Sequence, residues 1–194
     1  MTIDATTWIR HYRRPITIIL VALTASTILL YTLGQMGAFD DTNEESFNNA
    51  DIMFMSMMII HHDQAIQMAE LAANRTDNEN ILQLAQNISQ AQQEENRKMA
   101  DWLRQLGYER PRDGHRMAGM ASAHEMEQLR NSTGAEFDRR FARLMITHHR
   151  GGIQMARSFA ERGQNAELID LEEQMIATQQ REIERMQEWG LVSQ

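Results

Sequence analysis

Two adjacent histidines occur twice in this chain, as His61 with His62 and as His148 with His149. Each pair sits among methionines, Met58 and Met68 around the first and Met145 and Met155 around the second. Imidazole and thioether together make a soft to borderline donor set, suited to Cu(I), to Ag(I) as its close analogue, or to Cu(II) through the imidazoles alone. The chain has no cysteine, which excludes thiolate nucleophiles, Cys-based zinc sites and disulfides. No Glu-x-x-His triplet occurs, so the ligand pattern of a di-iron bundle is missing. Phosphate loops, nucleophile elbows and zincin motifs are missing too, and copper binding without turnover is the chemistry these residues favour.

The elements that must position these donors are helices written twice. Residues 51–107 match residues 138–194 without a gap at an offset of 87, with about a third of positions identical, a repeat signature. Apolar residues recur at steps of three and four, broken by polar stretches at 75–78 and 162–165, so each unit reads as two helices joined by a turn. The expected helices are 46–75, 77–106, 134–162 and 165–190. Thr76 with Glu79, Thr133 with Glu136, and Ser122 with Glu125 have capping-box spacing, the last suggesting a short helix within the crossover. Each hairpin leaves an apolar stripe that needs covering, so the two should close as an all-α four-helix bundle.

On the first helix of each hairpin the stripe is Phe54, Met58, His61, Ala65, Met68 and Ala72, repeated as Phe141, Met145, His148, Gly152, Met155 and Phe159. The neighbouring His62 and His149 lie about 100° further round, so one histidine of each pair faces the core and the other its flank. On the second helices, Gln92 with Glu95 and Gln179 with Glu182 interrupt the stripe, as does Glu172. A buried carboxylate without a partner costs several kcal/mol, and the expected partners are His61 and His148.

Two readings fit. The His and Glu side chains form buried polar pairs that fix the register of the hairpins, or the histidines and methionines bind a metal while Gln92, Glu95, Gln179 and Glu182 orient the rings from behind. An ionic seam would raise the histidine pKa values, whereas neutral imidazoles would weaken the fold in acid.

Composition frames this body. With 19 basic against 27 acidic side chains the net charge is −8, and residues 1–36 are themselves positive, which leaves an acidic remainder unsuited to nucleic acid. From Ile16 to Leu33 run eighteen uncharged, mostly apolar residues, after Arg10, Arg13 and Arg14 and before Asp40 and Asp41. At 1.5 Å per residue they would span roughly 27 Å, close to the hydrocarbon thickness of a bilayer. The positive-inside rule then gives a cytoplasmic N-terminus at 1–14, an uncleaved signal-anchor at 15–36, a linker at 37–46 and a body outside the cytoplasm. That body comprises repeat 1 at 47–107, a crossover at 108–133 and repeat 2 at 134–194. The crossover carries His115, Met117, Met120, His124 and Met126. It is polar and glycine-punctuated, so these methionines are expected at the surface, as a second metal-capturing segment or as a cover for the bundle end.

The doubled His-His pattern, the Gln/Glu/Met/Trp tail of each hairpin (Gln92, Glu95, Met99 and Trp102 in the first) and the Met-bearing segment before Asp138 resemble the bacterial family known as domain of unknown function 305. The resemblance covers about residues 47–190. It implies a ferritin-like bundle, exported or anchored by one helix. It further implies copper handling by His61, His62, His148, His149 and the methionines around them. A competing function is a non-metal accessory subunit that docks within a larger membrane complex, for which Thr17, Thr24, Ser26, Thr27 and Thr32 on the apolar run offer hydrogen-bonding groups.

Overall fold

Helix α1, Asn49–Leu71, begins where the Asn48 side chain accepts from the amides of Ala50 and Asp51 while Asp51 accepts from the Asn48 amide, a complete capping box. A short 3-10 turn, Ala72–Asn74, ends it. Helices α2, Glu79–Gln105, and α5, Ala166–Glu188, are capped by Asn78 and Asn165, which are equivalent positions in the two repeats. The box expected at Thr76 and Glu79 is therefore absent. Thr76 instead accepts from the Asn78 amide within the turn, and the Asn78 side chain, adjacent to the first helical residue, takes the cap. Helix α3, Ala123–Asn131, does start with the box of Ser122 and Glu125. Helix α4, Gly134–Ala160, follows Thr133, whose hydroxyl makes no capping bond.

The computed structural model describes residues 46–111 and 117–191. All of the regular structure among them is helical. None of these helices is long and apolar enough to cross a membrane; the expected anchor at 15–36 lies outside the described residues.

Helices α1 and α2 pack as one antiparallel hairpin and α4 and α5 as the other, and the two hairpins meet through α1 and α4. These two helices run antiparallel, as the polar contacts at both ends require. Asp51 at the start of α1 accepts from the Gln164 amide beyond the end of α4, and Asp138 at the start of α4 accepts from Asn78 beyond the end of α1. Likewise Asn48 donates to the Arg162 carbonyl and the Gly134 amide to the Arg75 carbonyl. Asp51 and Asp138 are repeat equivalents, as are Arg75 and Arg162, and Asn165, the equivalent of Asn78, also donates its amide to Asp51, so the hairpins are related by a pseudo-two-fold axis.

The apolar stripe read from the sequence on α1, continued by Ala72 in the 3-10 turn, and that on α4 are buried throughout, and on α2 Glu95 is half-buried. They do not form one continuous core. One cluster contains Phe54, Met58, Met99, Met155, Phe159 and Met175; the other contains Met68, Ile81, Ile88, Phe137, Phe141, Met145 and Met186. Between them, on all four long helices, lies a polar layer.

Candidate metal centre

The polar layer consists of His61 and His62 on α1, Gln92, Glu95 and Asn96 on α2, His148 and His149 on α4, and Gln179 and Glu182 on α5. All four imidazoles are buried. Because α1 and α4 cross antiparallel at equivalent positions, His61 and His148 face each other across the pseudo-axis, ring centroids 3.8 Å apart and planes inclined by 35°.

The outer histidines turn back into their own hairpins. His149 Nε2 donates to Glu182 Oε2 at 2.7 Å, and His62 Nε2 lies 2.8 Å from Glu95 Oε2 with poorer hydrogen-bond alignment. The expectation that the carboxylates would pair with His61 and His148 is thus corrected. On an α2 or α5 helix packed beside the flank of its own partner, a glutamate reaches the histidine on that flank before the one on the inter-hairpin seam. Gln179 meanwhile fills the space beside Gly152, where an added Cβ would stand 2.7 Å from its Oε1.

The inner pair has little polar company. His61 Nε2 lies 3.1 Å from the carbonyl of Ala118; His61 Nδ1 and both nitrogens of His148 have no hydrogen-bond partner. Burial, reinforced by the adjacent His62 imidazole, pushes the His61 pKa down to about 3, against the opposing effect of the Ala118 carbonyl. Burial, and next the facing His61, holds His148 well below its ordinary value. Both rings are therefore neutral near pH 7 with lone pairs available, as metal ligation by imidazole requires.

Among the described residues no three or more His, Asp and Glu side chains converge as an ion cage. What the seam offers is a closely apposed, tilted imidazole pair between two methionine-bearing apolar clusters. Met58 and Met155 are buried in the cluster on one side of the layer, and Met68 and Met145 in the cluster on the other. That donor set fits a soft ion such as Cu(I) or Ag(I).

The crossover departs from expectation. Met117 and Met126 are 7% and 5% exposed and belong to the two opposite apolar clusters, and Met120 is half-buried. Of the two expectations, a cover for the bundle is the one these burials favour over surface capture, because the glycine-punctuated segment turns inward over the bundle rather than away from it. His124 is exposed beside Gln128 on α3, away from the histidine layer, and His115 lies outside the described residues. Sequence reasoning missed Asn96, which donates to Asp63 from within the layer, and the crossover backbone over His61. The signal for the latter was a break in the repeat: position 64 is Gln in the first copy and Gly151 stands at its equivalent in the second.

Residues 51–190 match the family model described as Domain of unknown function (DUF305). A solved DUF305 protein from Streptomyces coelicolor is 33% identical, with a TM-score of 0.67, covering 71% of this chain and 89% of its own. A DUF305 fragment from Deinococcus radiodurans is 30% identical, with a TM-score of 0.69, covering 75% of this chain and 97% of its own. CopM in its Cu(I)-bound form is 31% identical, with a TM-score of 0.63, covering 72% and 94%; it has also been solved in Ag-bound, Cu(II)-bound and apo forms. No match is found among curated proteins.

Proposed function

This chain belongs to the DUF305 family, and we propose that it binds copper, as Cu(I), or silver at the inner histidine pair and holds or passes on the ion without chemical turnover. The observation that carries the reading is the close, tilted apposition of His61 and His148, buried and neutral, with three of their four nitrogens lacking a well-formed hydrogen bond. A purely architectural role accounts for His62 with Glu95 and His149 with Glu182, since each of those rings meets a carboxylate. It leaves the inner pair unexplained, because buried polar atoms without partners cost about 1–3 kcal/mol each. A bound ion would recover that cost.

The proposed ligands are His61 and His148, with thioethers from Met58, Met155, Met68 and Met145. His62 and His149 stand beside them, and Glu95, Glu182, Gln92 and Gln179 set ring orientation. Similarity to CopM, solved with Cu(I), Cu(II) and Ag, supports the choice of ion. The proposal takes the facing hairpins as one ferritin-like four-helix bundle. It also places that bundle outside the cytoplasm on the 15–36 anchor, supported by the uncharged run and the arginines before it.

Competition of the full-length chain against a chromogenic Cu(I) chelator tests the reading. The double variant His61→Ala with His148→Ala should lose more than about a hundredfold in affinity, beyond the range set by residues that only orient ligands. Unchanged affinity would remove the seam as the site.

A further inference from the structure

We infer that His61 takes the ion through Nδ1, and that a backbone strap at residues 117–121, gripped by Gln64 and seated on Gly151, sets this choice. The inference rests on the metal-binding reading above and concerns which atom binds and what positions it. A carbonyl oxygen only accepts, so at 3.1 Å from Ala118 O the His61 Nε2 must be the donor. A neutral imidazole carries one N–H, which leaves the lone pair on Nδ1, buried and without a partner. The strap is to His61 what Glu182 is to His149, whose Nε2 also donates and whose Nδ1 is also unpartnered. His148 makes no hydrogen bond of good geometry, only the His61 backbone approaching its ring, and so has no comparable director.

The strap is held closely enough to do this. Gln64 Nε2 donates to the Ala121 carbonyl at 2.9 Å and its Oε1 accepts from the Ala121 amide at 2.7 Å. Gly119, at φ +81°, turns the strap down onto α4, where a Cβ would stand 2.6 Å from the Thr147 carbonyl. A Cβ on Gly151 would stand 2.1 Å from Ala118 O itself. Gln64 and Gly151 are repeat equivalents, one reaching for the strap and the other making room for it. They are positioning residues: they act on the ion only through the His61 ring.

The test uses the full-length chain labelled with 15N in histidine, two-bond 15N–1H spectra to read which ring nitrogen carries the proton, and Ag(I) as a diamagnetic probe. In the apo protein His61 should be the Nε2–H form, and Ag(I) should shift its Nδ1 while Nε2 stays protonated. Gly151→Ala favours the helix it sits in but displaces Ala118; Gln64→Ala removes the grip without adding bulk. Each should dissolve the single His61 form into a mixture and weaken Ag(I) binding about ten- to a hundredfold, with the His149 signature unchanged. If Gly151→Ala fails to fold, Gln64→Ala carries the test alone. A shift at His61 Nε2 with Nδ1 protonated overturns the inference, as do variants identical to the parent in both readouts. Ag(I) that perturbs other rings but not His61 overturns the inference alone; Ag(I) that perturbs no ring overturns the proposed function with it.

Discussion

Hairpin 1 and hairpin 2 carry the same histidines at the same register, yet those histidines live in different surroundings. His61 is tied to the crossover backbone, whereas His148 makes no hydrogen bond of good geometry and is approached only by the backbone of His61. Gln64 stands opposite Gly151 in the repeat, Ala85 opposite Glu172, Asn48 opposite Ala135. The duplication supplies a symmetric frame, and a single crossover chain cannot lie over that frame symmetrically. Where the two copies depart from one another therefore marks where the molecule is used unequally.

The symmetric half of this comparison should show in the largest stability effects. Phe54 and Phe141 are equivalent and fully buried, so Phe54→Ala and Phe141→Ala should each cost about 3–5 kcal/mol in denaturant unfolding. Costs differing by more than about 2 kcal/mol would show that the frame is less equal than its geometry.

The unequal half should show in pH. Burial, and next the nearby Asp51, raises Glu172 to about 8 from its ordinary 4.5; it is 1% exposed and one of its oxygens is unpartnered. The folded state then holds a proton that the unfolded chain has released, so stability falls as pH rises from 4.5 to 8. The inner histidines act in the opposite sense. With His61 lowered from 6.5 to about 3 and His148 lowered as well, the unfolded chain binds protons the folded one refuses, and stability falls as pH drops from 6.5 toward 3. Melting temperature against pH should thus decline on both sides of the 4.5–6.5 window. Glu172→Gln should flatten only the alkaline limb, and His61→Gln with His148→Gln only the acid limb. An alkaline limb unmoved by Glu172→Gln would assign that slope elsewhere.

The smallest effects come from the helix starts. Asn48→Ala removes both capping bonds at α1 and the bond to the Arg162 carbonyl and should cost about 1–2 kcal/mol. Thr133→Ala at the equivalent helix, where the hydroxyl makes no cap, should change unfolding by less than about 0.5 kcal/mol. Equal costs at the two sites would mean that Thr133 caps in solution.

The sequence made the frame legible because helical periodicity reports which residues share a face. The histidines at the centre of each stripe, the glutamines and glutamates on the facing helices and the short helix after Ser122 all follow from spacing within one element. Spacing says nothing about which of two adjacent faces a neighbouring helix presents, so it points Glu95 and Glu182 at the inner histidines when their partners are His62 and His149. It also cannot show a loop folding inward, which is what buries Met117 and Met126 in a polar, glycine-punctuated segment. The caps at Asn78 and Asn165 were within reach, since the repeat aligns them, but Thr76 offered the more conspicuous motif.

The meeting of His61 with its own counterpart has an evolutionary and physical corollary. A surface on which a residue contacts its repeat equivalent is isologous, the geometry of a two-fold homodimer, here closed inside one polypeptide. Joining the halves converts association into an intramolecular event with a fixed effective concentration, so assembly of the seam does not depend on how much protein the cell makes. The same covalent link frees each half to mutate separately, which two identical subunits could never do.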